Sequence, residues 1–78
     1  MHLKKQEVLQ VIHDINANYT IHDFRVTDGE KRINLIFDLV VPIETSTEQR
    51  KALSETICQS LKERDSRYCC VIQIDNAY

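Results

Sequence analysis

Apolar residues recur along this chain with two periods, and the switches between them mark out five elements. Val8, Val11, Ile12 and Ile15 fall at helical spacing, with Lys, Gln and Glu on the other side. That pattern predicts an amphipathic helix over 4–15. Asn16, Ala17 and Asn18 end it, because Asn favours turns and left-handed caps. From Ile21 to Pro42 the period falls to two, which a half-buried strand requires. Strands over 19–27 and 32–41 flank the tetrad Asp28-Gly29-Glu30-Lys31. Gly enters positive φ without a Cβ clash, so Asp28-Gly29 predicts a tight antiparallel hairpin. Pro42 closes the second strand, where a missing N–H harms the ladder least. One face of that strand, Ile33, Leu35, Phe37, Leu39 and Val41, is wholly apolar and belongs to the core. The opposite face, Asn34, Ile36, Asp38 and Val40, is only half polar. In the first strand, parity puts His22 with Phe24 and Val26, and Ile21 with Asp23 and Arg25.

The period then lengthens again. Ser46-Thr47-Glu48-Gln49 fits a capping box, and Ala52, Leu53, Ile57 and Leu61 form an apolar stripe, predicting a helix over 47–64. Lys62, Arg64 and Arg67 crowd its end, where cations suit the dipole. A last strand over 68–75 alternates Tyr68, Cys70, Ile72 and Ile74 inward with Cys69, Val71, Gln73 and Asp75 outward. The order is α-β-β-α-β, and the β-α-β crossover requires the last strand to lie parallel to a partner. The fold class is α+β: a ferredoxin-like sandwich, one domain over 1–78, two helices on one face of a three-stranded mixed sheet. The other sheet face is left open. It is either a partner surface or a solvated face with scattered aliphatics, and pattern alone does not separate the two.

Size and charge narrow the function. A 78-residue chain builds a core that rarely supplies more than about 3–5 kcal/mol of net stability, so association is worth seeking. A formal net charge of −2, without clustered Lys and Arg, argues against nucleic acid as a partner. No apolar run approaches the roughly 20 residues that span a bilayer, so the chain taken alone is expected to be soluble. Cys58, Cys69 and Cys70 form no spaced framework and are expected to be reduced, structural thiols. Adjacent strand residues point to opposite faces, so Cys69 and Cys70 would not converge on one ion.

No nucleophile signature, phosphate-binding glycine loop or zinc-finger spacing is present, and the expectation is a protein that is not an enzyme. Among the histidines, His2 lies near the terminus and His13 stands beside Asp14 on a helix surface. His22, followed by Asp23, opens the hairpin. Asp75 would approach it if the first and third strands were neighbours, and a His with a carboxylate suits an ion such as Zn²⁺.

These residues resemble the cytoplasmic C-terminal domain of cation diffusion facilitator transporters. The likeness rests on Ile21-His22-Asp23-Phe24-Arg25, on Asn34-Leu35-Ile36-Phe37-Asp38 with Val41-Pro42, and on Val71-Ile72-Gln73-Ile74-Asp75. It runs from the first helix to the last strand. The resemblance implies a homodimerisation and metal-sensing regulatory domain of a divalent-cation efflux transporter, of zinc, manganese, iron or cobalt type. The domain would sit at the cytoplasmic face of the cell membrane beneath the membrane-embedded transport domain of the same protein. It implies a metal site between protomers in which His22 and Asp75 match ligands, while Ile36 and Gln73 stand where metal-binding members have histidines. No cofactor is required, and Zn²⁺ or another divalent cation is the expected ligand. Asn34, Ile36, Asp38, Val40 and Gln73 are the expected dimer interface. Two other readings stand beside this one. A free-standing cytosolic ferredoxin-like metal-binding module, a chaperone or sensor, would depend on Cys58, Cys69 or Cys70. A small enzyme using His22 and Asp23 would need a concave pocket.

Overall fold

The computed structural model describes residues 3–76, and His2 lies outside them. The elements are α1 (Leu3–Ile15), β1 (Thr20–Asp28), β2 (Ile33–Val41), α2 (Thr47–Arg64) and β3 (Tyr68–Asn76). They agree with the predicted order and with its boundaries to within one residue. The sheet order is β1-β2-β3, with β2 antiparallel to β1 and parallel to β3. The most apolar strand is therefore the central one.

Its burial alternates without a break, the odd positions from Ile33 to Val41 all buried and the even ones all half-buried. The buried row meets Val8, Val11 and Ile12 of α1, Leu53, Ile57 and Leu61 of α2, and Tyr68 of β3. Both helices thus cover one face of the sheet. Fully burying a Leu, Ile or Phe side chain contributes roughly 1.5–3 kcal/mol, so this single layer carries the fold. Two expected members fall outside it. Ile15, the last residue of α1, is 40% exposed. Ala52 is also exposed, because it precedes Leu53 and so lies about 100° around the helix from the buried stripe.

The caps follow the sequence. Ser46 Oγ accepts from the Gln49 N–H at 3.1 Å, and the Gln49 side-chain oxygen accepts from the Ser46 N–H at 2.9 Å. Two otherwise orphan donors of the first turn are satisfied in this way. At the far end Asp65 binds Arg67 through a 2.8 Å ion pair, and Arg67 holds its carboxyl at about 2. After α1 the Asn16 side chain accepts from the Asn18 N–H at 2.9 Å, so a local Asx turn replaces the expected left-handed cap.

The hairpin turn forms where expected but for a different reason. Gly29 does not adopt positive φ. Its N–H donates to the Arg32 carbonyl at 2.8 Å, and a Cβ on Gly29 would lie 3.0 Å from that same oxygen. Glycine is favoured here by close approach rather than by handedness. The left-handed residue is Asp23, at φ 54°. It sits at a bulge where the β1–β2 register shifts between His22 and Arg25. Asp and Asn tolerate this conformation better than other residues with a side chain.

Candidate functional site: the open face of the sheet

The bulge decides what the open face carries. Before it, Ile21 pairs with Leu39 and His22 with Asp38; after it, Arg25 pairs with Ile36 and Val26 with Leu35. Residues paired across strands share a face, so one extra residue reverses the parity. Ile21, Phe24 and Val26 all pack against the core, and the Phe24 ring stands 6.1 Å from that of Phe37. His22 is not on the face of Phe24 and Val26, as simple alternation predicts. It turns outward, with Arg25.

The pairings arrange the open face in rows running across the three strands. Thr27, Asn34 and Cys69 form one, closed by a 2.8 Å hydrogen bond from the Asn34 amide to the Thr27 hydroxyl. Arg25, Ile36 and Val71 form the next, then His22, Asp38 and Gln73, then Thr20, Val40 and Asp75. His22 and Asp75 therefore lie on the two outer strands, in successive rows, with β2 between them. The condition for their approach, that β1 and β3 be neighbours, is not met in the strand order. Adjacent strands are about 4.8 Å apart, so about 10 Å separates the two backbones. Zn²⁺ holds its nitrogen and oxygen ligands at about 2 Å. Among the described residues no group of three or more His, Cys, Asp or Glu side chains converges as an ion requires. Ile36 and Gln73 lie on the same open face, in the rows of Arg25 and of His22.

What does converge is negative charge. Partial burial raises the Asp38 carboxyl above its ordinary range, and the charges of Asp75 and Asp23 and a hydrogen bond with Asp23 raise it further. His22 opposes the shift without cancelling it. Asp23, Phe24, Arg25, Asp38 and Gln73 line a shallow depression around this cluster. Asp23 is a residue that sequence reasoning named beside His22 for an enzyme site but did not place in the metal site or the interface. The available signal was the spacing of Ile21 from Phe24 and Val26: three apolar residues of mixed parity on one strand require a bulge between them.

Beside the charged row the face is aliphatic. Val71 is 55% exposed, next to Ile36, with Val40 two rows away. No helix among the described residues is long and apolar enough to cross a membrane.

Comparison with known proteins adds the following. The model of the family described as cation efflux protein, cytoplasmic domain, matches residues 2–77. A structure from work on the mode of action of CzrB, a candidate zinc transporter, superposes with a TM-score of 0.79 at 18% identity. It covers 100% of this chain and 99% of that one. The metal-bound C-terminal domain of the CzcD transporter from Thermotoga maritima gives 0.77 at 14% identity, covering 97% and 94%. The cytosolic domain of a cation diffusion facilitator family protein gives 0.75 at 15%, covering 94% and 86%. At these identities the structural likenesses establish the α-β-β-α-β fold. A search of curated proteins returned no match.

Proposed function

This chain belongs to the family of cation efflux protein cytoplasmic domains, and we propose that its task there is to hold two copies together and bias their arrangement. The observation that carries the reading is the uncovered sheet face. Both helices pack on the other side, which leaves Ile36, Val40 and Val71 beside the row of His22, Asp38 and Gln73. A two-fold dimer uses the same patch on both copies, and a mixed aliphatic and polar patch suits that self-complementary use. The partners are thus a second copy and the membrane-embedded transport domain of a divalent-cation efflux protein, and the place of work is the cytoplasmic face of the membrane.

Metal, on this reading, is held between copies. His22 from one copy and Asp75 from the other would supply ligands that a single chain keeps apart, with Asp38 at hand. The crowding of Asp23, Asp38 and Asp75 supports it, because a cation relieves the repulsion that raises Asp38. Such an ion regulates only as far as it binds one arrangement of the pair better than another. Sedimentation at micromolar concentration tests the core of the reading. The wild-type chain is expected to dimerise and Ile36→Asp to remain a folded monomer. A wild-type chain that stays monomeric across the range, with and without Zn²⁺, would sink it.

A further inference from the structure

The open face carries its opposite charges in separate rows. Arg25 is exposed, in the row of Ile36 and Val71. Asp38 is half-buried at the centre of the next row, between His22 and Gln73, and Asp75 stands one row further on. No other Lys or Arg stands in these rows, and among the described residues Arg25 enters no ion pair. The cation thus lies towards one end of the face and the carboxylates towards the other.

Given the reading of that face as the dimer surface, on which this rests, we propose that in the metal-free dimer Arg25 of each copy is the counter-ion of Asp38 in the other. Two packed sheets lie about 10 Å apart with their strands nearly aligned. A two-fold axis along the strands lays β1 over the other copy's β3 and each row over itself. An axis across the strands, between these two rows, lays β1 over β1 and the row of Arg25 over that of Asp38. In both cases Arg25 comes within one strand and one row of the other copy's Asp38. Those steps are about 4.8 Å and about 6.7 Å, which an arginine side chain spans. Symmetry makes the contact twice. The planar guanidinium offers a carboxylate two parallel N–H donors, which a lysine does not. Ile36 and Val71 flank Arg25 in its own row, so closing the dimer shields the pair from water and covers Val71, 55% exposed in the single chain. A single chain gives the Asp38 charge no such relief. Like charges set opposite one another cost more than such a pair contributes, so the contact fixes how the copies meet more than how tightly.

Reversing one charge in each of two chains tests the contact. Arg25→Glu and Asp38→Lys are checked for folding by circular dichroism and then followed, with chelator present, by sedimentation and native mass spectrometry. Alone, each variant sets like charges against each other twice and should dimerise at least about 10-fold more weakly than the wild type. Mixed in equal amounts, the two should recover the dimer, almost all of it mixed, because only the mixed pair has both attractive contacts. The chain carrying both reversals should again dimerise with itself, which keeps the test open if one single variant does not fold. Added salt should weaken the mixed dimer and relieve the single variants. Single variants that dimerise as the wild type does, or a mixture with no more mixed dimer than random assortment gives, would overturn this pairing and leave the dimer standing. A wild-type chain that stays monomeric would remove both.

Discussion

The two faces of β2 share one backbone and obey opposite rules. On the inner face Leu35 and Leu39 are fully buried and Phe37 is 1% exposed, beneath two helices. On the outer face, one residue away at every step, Asn34, Ile36, Asp38 and Val40 are half-buried and no element among the described residues covers them. The inner face has to be apolar and close-packed, because a domain of this size has no second core to fall back on. The outer face can change without loss of the fold. That is why Ile36 can occupy a position where the resemblance expects a histidine, in a domain whose architecture is intact. Stability is concentrated on one side of the sheet, and the proposed partner surface lies on the other.

The sharpest way to break this division is Phe37→Ala. Removing a ring from the centre of the core costs about 3–5 kcal/mol, comparable to the whole net stability expected of so small a domain. The variant should be unfolded or nearly so at 25 °C by circular dichroism. A cooperative melt close to that of the wild type would show that the inner face is not the seat of stability. A smaller effect is expected at the border of the two faces. Tyr68 donates to the Glu7 carboxylate at 2.6 Å, joining the start of β3 to α1, and burial with that bond pushes the phenol up to about 12. Tyr68→Phe should lower stability by about 1–2 kcal/mol in urea melts near neutral pH. The gap should shrink as pH rises from 10 towards 12, because the wild-type phenol is then increasingly forced to ionise.

The inner face was legible in the sequence and the outer site only partly so, for a physical reason. Periodicity reports burial, and the odd row of β2, the stripe of α2 and the Ser46–Gln49 box all follow from local pattern. The site depends on relations that local pattern does not carry. Strand order is one of them: with β2 in the middle, His22 and Asp75 stand on the outer strands. The bulge at Asp23 is another, since a single inserted residue turns His22 outward and brings Asp23 to Asp38. Gly29 gives the converse case. It was legible as a turn residue, yet its reason is the nearness of the Arg32 carbonyl rather than a positive φ.

The smallest effect is expected on the outer face, and it has the opposite sign. Asp38 has its carboxyl raised above the ordinary value of 3.8, first by partial burial and then by the carboxylates of Asp75 and Asp23. A group with a raised pKa in the folded chain contributes stability that is complete below its unfolded value and lost as pH climbs through the folded one. At neutral pH ionised Asp38 is therefore a liability that the core tolerates. Asp38→Asn removes the charge and keeps the shape, so its melting temperature should lie slightly above the wild type at pH 7. The advantage should disappear as pH falls below the unfolded value of 3.8. A variant that melts lower than the wild type at pH 7 would mean that the carboxylate serves the isolated fold. Divalent cation sharpens the same comparison. If two copies share an ion near Asp38, added Zn²⁺ should raise the melting point of the wild type more than that of Asp38→Asn, and the order of the two would close up or reverse. The residue would then be one that the single chain keeps at a small cost, because the dimer and its ion recover it.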